Sequence, residues 1–232
     1  MSEYRNLKGR KVKTFATDLS GESAEGQVFF STAPQFNALK TVVASAAWSS
    51  GGNLVTGGTG LMAGAGTQTA ALGFGGYIGP GTPNVVATTL EYNGNGWSSS
   101  GNLASARSGM GGTGTQTAAL GFGGATTIPR GPGLVASSEE YNGTAWTSIP
   151  ALGFDGYQLK GAGDKANSFF AMGYYSSSGY NWNGSSFSTS PAAPVHNYTT
   201  AAIGTYNDAS FLGGNAVSGG AVSNVHQHWN GS

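Results

Sequence analysis

Short apolar runs alternate with glycine-rich turns along most of this chain. The clearest run is Ala118–Phe122, in which every residue is apolar or glycine and which Gly123-Gly124 follows. A continuous run of this length predicts a strand that neighbouring sheets cover on both faces. Asn142-Gly143 favours a tight hairpin turn, because both residue types tolerate positive φ. The pattern therefore predicts an all-β fold built from short strands.

The apolar run belongs to a repeat. The ten residues TQTAALGFGG occupy positions 67–76 and return unchanged at 115–124, which is 48 residues later. A second shared block runs from Glu91 to Trp97 and again from Glu140 to Trp146. A period of about 40 to 50 residues with several short strands is typical of a propeller blade. In the second copy we expect four strands, near 107–112, 117–123 and 135–141 and around Trp146.

A glycine pair and two aromatic residues mark each blade. The pair ends the second strand where we expect sheets to converge, a place where a side chain would be costly. The marks are Gly75, Gly76, Tyr92 and Trp97 in the first copy, and Gly123, Gly124, Tyr141 and Trp146 in the second. This arrangement resembles the kelch repeat over roughly residues 41–232. The resemblance implies a β-propeller with four-stranded blades.

The third and fourth units depart from this pattern. In the third, residues 169–175 replace the apolar strand and glycine pair, and Trp182 and Phe187 keep the aromatic spacing. In the fourth, Gly213-Gly214 restores the pair and Trp229 precedes an Asn-Gly turn. We place the four repeats near 55–103, 104–152, 153–192 and 193–232.

The last repeat ends one strand short, and an unmatched strand lies at the beginning. Residues 48–54 resemble residues 97–103, so Trp48 marks the end of a blade that has no beginning. We expect Trp48 and its preceding strand to complete the last blade, so that N- and C-terminal strands close the ring. The alternative is an open array that a neighbouring subunit completes.

Composition narrows the possible functions. Charged residues make up 9% of the 232 residues, 41 residues are glycine, the formal net charge is zero and there is no cysteine. The absence of cysteine excludes disulfides, thiolate metal sites and cysteine nucleophiles. Neutral balance gives no steering toward nucleic acid or membrane, and we expect neither as a partner. No apolar run has the length of a membrane span or the form of a signal peptide.

Residues 1–25 differ from the rest, and we expect an extended docking arm there, followed by a hairpin and closing strand over 26–54. Five of the ten Lys and Arg residues fall within the first thirteen positions. A solvated tail is the alternative. The candidate anchoring residues are Tyr4, Arg5, Leu7, Lys8, Arg10, Lys11, Val12, Lys13 and Phe15.

The candidate catalytic residues are better explained by structural roles than by catalysis. His226 and His228 alternate on one strand, with His196 as a possible third ligand, but no set of carboxylates accompanies them. Glu91, Glu139 and Glu140 recur at equivalent blade positions, which indicates architecture rather than a glycosidase pair. We expect no metal, no cofactor and no catalysis.

Two variable loops are the candidate recognition sites. Residues 77–86 and 125–134 lie at equivalent places and differ most between the two similar repeats. Loops on a rigid scaffold are common sites of binding. The residues that we single out are Tyr77, Pro80, Pro83, Asn84, Pro129, Arg130 and Pro132.

The detailed form of the repeats, with GTQTAALGFGG, EEYNGTAW and an opening SEYRNLKGRKVKTF, resembles kelch-like structural proteins of marine bacteriophages, including cyanophages. The resemblance implies a virion component, a tail or head fibre or decoration protein, anchored by the arm and displaying the propeller for attachment to the host. It also implies capsid or tail proteins as partners, a host surface glycan as a candidate ligand, and a homo-oligomer. The alternatives are a soluble lectin or interaction scaffold and, less favoured, a glycan hydrolase.

Overall fold

Strands and turns form the described part of the computed structural model, and no helix occurs among those residues. The described residues are 14–15, 28–31, 38–41, 51–55, 59–79, 85–127, 133–171, 173–174, 176–198, 200–216 and 222–231. The chain divides into an N-terminal unit, residues 1–50, and a second unit, residues 51–232, which we name the propeller unit.

The N-terminal unit contains three short strands, β1 (Thr14–Phe15), β2 (Val28–Ser31) and β3 (Ala38–Thr41). β2 and β3 pair antiparallel, as the expected hairpin requires, and β1 adds parallel to β2. The backbone of Phe15 therefore lies in a strand. The other proposed anchoring residues, from Tyr4 to Lys13, lie outside the described residues, so the arm and its boundary at residue 25 stay predictions.

The propeller unit holds four blades, and one sheet lies within each of the four predicted repeats. The strands of this unit are β4 (Thr59–Gly60), β5 (Ala63–Gly66), β6 (Ala71–Phe74), β7 (Tyr77–Ile78), β8 (Thr89–Tyr92), β9 (Trp97–Ser100), β10 (Gly111–Thr115), β11 (Ala118–Phe122), β12 (Ser138–Tyr141), β13 (Trp146–Ile149), β14 (Lys160–Gly163), β15 (Ser168–Ala171), β16 (Gly179–Trp182), β17 (Phe187–Ser190), β18 (Asn197–Tyr198), β19 (Ala201–Thr205), β20 (Asp208–Leu212), β21 (Asn215–Ala216) and β22 (His226–Trp229). Blade 1 is β5-β6-β8-β9, blade 2 is β10-β11-β12-β13, blade 3 is β14-β15-β16-β17 and blade 4 is β19-β20-β22, all antiparallel. The prediction of a small all-β propeller of four blades is confirmed.

The first strand of blade 2 lies later than the sequence indicated. We expected it near 107–112, whereas β10 is Gly111–Thr115. Residues 107–110 instead form a buried connector, in which Ser108 makes an isolated bridge to Ala125. Two-stranded pairs, β4 with β7 and β18 with β21, occupy the corresponding place in blades 1 and 4.

Each blade has a front face toward the next blade and a rear face toward the preceding one. Phe74 is on the front of blade 1, and a β-carbon at Gly112 of blade 2 would lie 2.8 Å from its Cζ. Phe122 covers Gly161 of blade 3 in the same way, also at 2.8 Å. Glycine therefore gives the aromatic ring of the preceding blade room to lie on the backbone.

The two ends of the blades carry different connections. The hairpin turns after the first and third strands meet at one end, which we name the turn end, where Gly143 lies against Thr117. The loops after the second strand and the connectors between blades meet at the other, the loop end. The Asn-Gly turns of blades 1 to 3 are four-residue connections in which only the glycine after the asparagine has positive φ, 94° at Gly143. The Asn142 Oδ1 accepts the N–H groups of Thr144 and Ala145, so the asparagine acts through its side chain and not through positive φ.

Gly52, four residues after Trp48, contacts blade 1 in the same way as Gly101, at the end of blade 1, contacts blade 2. A β-carbon at Gly52 would meet the Asn95 carbonyl oxygen at 2.8 Å, and one at Gly101 would meet the equivalent Thr144 oxygen at 2.1 Å. This contact agrees with the expectation that residues 48–54 end a blade. Trp48 itself lies outside the described residues, and blade 4 has three described strands, so closure of the ring by that strand stays a prediction.

Candidate recognition surface at the loop end

Three long loops leave the loop end through the same backbone neck. The carbonyl of the second glycine in each pair accepts an N–H from the returning chain, at 2.9 Å from Val86 to Gly76 and 3.1 Å from Val135 to Gly124. The third neck joins Ser223 to Gly214 at 2.8 Å. Sequence comparison of the two similar repeats missed this third loop, although Gly213-Gly214 was the signal that could have found it.

The glycine pair is required at each neck. Gly123 and Gly124 have φ of 65° and 105°, in the left-handed region that disfavours side chains. A β-carbon at Gly123 would also lie 2.6 Å from the Gly156 carbonyl oxygen. The pair therefore turns the chain away from the second strand while the connector to the next blade passes directly against it.

The loop bases are ordered by hydrogen bonds, and several proposed loop residues lie beyond them. Tyr77 is half-buried in β7 and bridges Val85. In the second loop, the Thr126 N–H and Oγ1 both donate to the Gly133 carbonyl oxygen, at 2.8 and 3.1 Å. The remaining proposed recognition residues lie outside the described residues, namely Pro80, Pro83, Asn84, Pro129, Arg130 and Pro132.

A buried ion pair fills the floor beneath the second loop. Arg107 is fully buried and donates to the Glu139 carboxylate and to the carbonyls of Gly123 and Ser137, the latter two at 2.8 and 2.6 Å. The other Glu139 oxygen accepts the Ala104 N–H at 2.9 Å. Burial lowers the pKa of the Arg107 guanidinium, and the adjacent carboxylate opposes that shift. The pair joins the connector, the glycine pair and the third strand.

Neutral amides fill the same place in blade 4. Asn197 is fully buried and donates to the Gly213 carbonyl at 3.1 Å, as Arg107 does to Gly123. Gln227, at the position of Glu139, accepts the Val195 N–H and donates to the Val195 carbonyl, both at 2.9 Å. The loops of blades 2 and 4 thus each have a floor that is hydrogen-bonded to the connector, by an ion pair in blade 2 and by amides in blade 4.

An aromatic pair replaces these polar groups in blade 3. Tyr180 occupies the position of Glu139 and stacks on Phe154 of the connector, with ring centroids 4.9 Å apart. The loop of blade 3 is short, and Gly173 donates directly to the Ser176 carbonyl at 3.0 Å. Blades 1, 2 and 4 therefore each have a long loop at the loop end, and blade 3 has a short one.

Lys160 is a cation that the sequence did not single out. It begins β14 at the loop end and pairs in register with Ala171, where Gly111 pairs with Phe122 in blade 2. Blade 3 has no aromatic residue opposite Lys160 in this register, whereas the Phe122 ring lies over Gly111 in blade 2. Burial lowers the pKa of the Lys160 ammonium group.

The turn end has a polar cleft between blades 3 and 4. Its volume is about 510 Å³. In the junction of blades 1 and 2, Gln116 of blade 2 donates to the carbonyls of Ala71 and Tyr92 of blade 1, at 3.1 and 2.6 Å. Lys165 occupies the equivalent position in blade 3, and its Nζ lies 3.2 Å from the Glu140 carboxylate. The cleft is lined by Gly163, Asp164, Asn167, Gly204, Thr205, Tyr206 and Asn207.

The candidate carboxylates and histidines have structural partners. Glu91 accepts a hydrogen bond from Tyr141 of blade 2 at 2.6 Å, so it joins two blades as Glu140 does. His228 donates to Asp208 at 2.7 Å, and His226 Nε2 lies 3.0 Å from the Ser210 Oγ. His196 donates to the Gly173 carbonyl at 2.9 Å, away from that pair. Within the described ranges, no group of three or more His, Asp or Glu could hold a metal ion.

The aromatic marks of the repeats face each other at the turn end. Tyr92 pairs with Trp97, Tyr141 with Trp146, and Trp182 with Phe187, each across a four-residue turn. The ring centroids in these pairs are 5.1, 5.1 and 4.6 Å apart. Trp229 of blade 4 instead stacks on Phe169 of blade 3, at 4.2 Å.

Comparison with known proteins supports the fold and goes no further. No protein-family model matches the chain, and no curated protein matches it. Among solved structures, the chain is similar to that of YjhT, with 14% identity and a TM-score of 0.52. The match covers 61% of this chain and 49%, or about half, of YjhT. None of the described residues forms a helix that is long and apolar enough to cross a membrane. The class that these observations define is a β-propeller.

Proposed function

We propose that this protein is a structural component of a bacteriophage particle, a tail or head fibre or decoration protein, which presents its loop end to the host surface. Residues 1–25 attach it to a capsid or tail protein, and a host surface glycan is the ligand of the loops. The observation that carries the proposal is the construction of the loop end. Three loops of different sequence stand on the same hydrogen-bonded necks.

This construction suits recognition because the scaffold is fixed while the loops vary. The necks use backbone groups and glycine, so they set no requirement on the residues beyond them. The buried floors at Arg107 and Asn197 hold each neck against the connector to its own blade. Loop sequence can therefore change without loss of the fold, as a surface that adapts to different hosts requires.

The composition of the N-terminal arm supports the second part of the proposal, attachment to another protein of the particle. Five cationic side chains and several apolar ones are concentrated in the first fifteen residues, whereas the propeller unit is poor in charge. Such a segment suits docking to an acidic surface of another protein. The resemblance of the repeats to kelch-like proteins of marine phages indicates which kind of partner to test first.

The experiment uses full-length protein, particles that lack this component, and host cells. Replacement of Arg10, Lys11 and Lys13 by Glu is expected to abolish co-sedimentation with particles and to leave binding to cells intact. Arg130→Ala in the second loop is expected to weaken binding to cells and to leave co-sedimentation intact. Lys165→Ala, which removes the same charge at the turn end, is the matched control and should change neither.

The outcomes separate the alternatives. If wild-type protein fails to sediment with particles but binds glycans, the protein is a soluble lectin and the particle proposal is wrong. If it binds neither particles nor cells, an interaction scaffold becomes the better hypothesis. A hydrolase would turn over a glycan substrate and lose that turnover in Glu140→Gln without loss of stability.

A further inference from the structure

The exposed large apolar side chains of the propeller unit lie at the two ends of the blade series. Among the described residues, Ile203, Leu212 and Val222 are exposed in blade 4, and Val55 and Leu61 are exposed next to blade 1. Blades 2 and 3 expose none of comparable size in their described residues. Contiguous exposed apolar surface often marks an interaction site, whereas single exposed apolar residues are normal, so the residues that share one face are the ones of interest.

Ile203 and Leu212 lie on the front face of blade 4. Leu212 holds the strand position of Phe74 and Phe122, the two residues that lie on a glycine of the next blade. Leu212 is 39% exposed and Ile203 is 59% exposed, whereas Phe74 and Phe122 are buried. The front face of blade 4 therefore carries an apolar residue at the position that contacts the next blade in blades 1 and 2, but Leu212 remains partly exposed.

The rear face of blade 1 offers the matching half. Gly64 holds the position of Gly112 and Gly161, but it is exposed, and no described residue of another blade lies near the place of its β-carbon. The indole N–H of Trp97, equivalent to that of Trp146, makes no hydrogen bond to the described residues. In the junction of blades 1 and 2, the Trp146 N–H donates to the Thr89 Oγ1 at 2.8 Å.

The polar groups on the two faces are complementary. His226 and His228 of blade 4 hold the front-face positions of Thr89 and Glu91, the acceptors that link blade 1 to blade 2. Both histidines are exposed and have partners in their own blade. On the rear face of blade 1 the Tyr92 hydroxyl donates to the Gly94 carbonyl of its own blade at 2.9 Å, so the Trp97 indole N–H is the donor that an acceptor nitrogen of His226 would meet.

We infer that the front face of blade 4 binds the rear face of blade 1 of a second copy of this chain, with Leu212 on the partner's Gly64. The contact continues the junctions of blade 1 with blade 2 and of blade 2 with blade 3, in which Phe74 and Phe122 lie on Gly112 and Gly161 of the next blade. Leu212, Ile203 and Gly64 are exposed in one chain, so these parts of the two faces do not cover each other there, and the contact takes the place of the ring closure within one chain that the sequence predicts. Such a contact is heterologous and generates either a closed ring or a filament. It does not depend on the proposed attachment to a particle.

Cross-linking tests the contact, because the chain has no cysteine and introduced thiols are unique. Gly64→Cys and Leu212→Cys are made as separate proteins and as one double variant, and each is treated with a short bismaleimide. That reagent is preferable to a disulfide, which requires α-carbons within about 7 Å. A mixture of the two single variants is expected to give a cross-linked dimer, and each alone should not.

Light scattering during gel filtration gives an independent readout. The wild-type protein is expected to show a mass of a dimer or larger, and Ile203→Asp with Leu212→Asp is expected to be a monomer with unchanged circular dichroism. Val222→Asp alters an equally apolar exposed residue of the same blade outside the strand face, and should assemble as wild type. A double-cysteine variant that cross-links only within monomers would overturn the inference, since the junction would then close inside one chain. A monomeric wild-type protein would overturn it as well.

Discussion

Blades 2 and 4 use different side chains to hold the connector against the glycine pair. In blade 2 a buried ion pair, Arg107 with Glu139, holds the connector against the glycine pair. In blade 4 two neutral amides, Asn197 and Gln227, bond to the corresponding backbone groups. The arginine and the asparagine donate to the same glycine carbonyl in their blades, and the glutamate and the glutamine both accept an N–H of the connector.

The comparison shows what the fold requires at the loop end. The buried N–H of the connector and the carbonyl of the first glycine need partners, because an unpaired buried polar group is costly. A charge is not required, since blade 4 satisfies both groups without one. Loss of one member of the ion pair should therefore lower the free energy of unfolding more than loss of one member of the amide pair.

The largest expected effect is that of Glu139→Gln. This change leaves the buried Arg107 guanidinium without a counter-charge, and breaking a buried pair in this way typically costs about 3 to 5 kcal/mol. Chemical denaturation followed by tryptophan fluorescence measures the loss. Glu140→Gln is the matched control, because its partner Lys165 is partly exposed, and we expect about 0 to 1 kcal/mol. Equal effects of the two changes would show that the buried pair is not special.

The next effect in size is that of Gln227→Leu. It keeps the side-chain volume but leaves the Val195 N–H and carbonyl without their partner, at a cost of about 1 to 3 kcal/mol. The same denaturation experiment checks it. A loss as large as that of Glu139→Gln would contradict the distinction between the ionic and the amide floor.

A smaller effect is expected of Tyr141→Phe, which tests the link between blades 1 and 2. The Tyr141 hydroxyl donates to Glu91, and its removal should cost about 1 kcal/mol near neutral pH. Burial and the Glu91 carboxylate raise the pKa of the Tyr141 hydroxyl above its usual 10.0.

The raised pKa of Tyr141 fixes the sign of the pH dependence. The native state holds the phenol proton more tightly than the unfolded chain does, so this contribution is complete below pH 10.0 and is lost as the pH rises through the native pKa. Thermal unfolding from pH 7 to pH 11 should therefore decline less steeply in Tyr141→Phe than in the wild type. Parallel declines would assign the alkaline loss to other groups.

The smallest expected effect is that of Lys160→Met. Burial lowers the pKa of the Lys160 ammonium, so folding with the charged group is unfavourable and a neutral side chain of similar length should raise Tm slightly. The benefit should shrink as the pH rises through the lowered pKa, because the lysine then becomes neutral. A fall in Tm would indicate that the ammonium group makes a favourable contact.

The blades were predictable from the amino-acid sequence alone. Two identical decapeptides, the glycine pairs and the Asn-Gly turns carry local requirements, because positive φ and close backbone approach restrict the residue type wherever they occur. The four repeats, the all-β class and the equivalence of the first two long loops followed from them. The third long loop was within reach of the same reasoning, since Gly213-Gly214 marks its neck.

The contacts between neighbouring blades and the residues beneath the loops could not be predicted in this way, because they depend on tertiary packing. Glu139 and Gln227 lie at one position but belong to different sets of partners, and their partners Arg107 and Asn197 carry no repeated mark in the sequence. In blade 2 a glycine, Gly121, lies against a large ring, Trp146. In blade 3 two medium-sized rings, Phe170 and Phe187, hold these two positions, so the side-chain volume is distributed more evenly between the two strands. Packing depends on the sum of side-chain volumes across a junction and not on any single residue, so no local pattern specifies it.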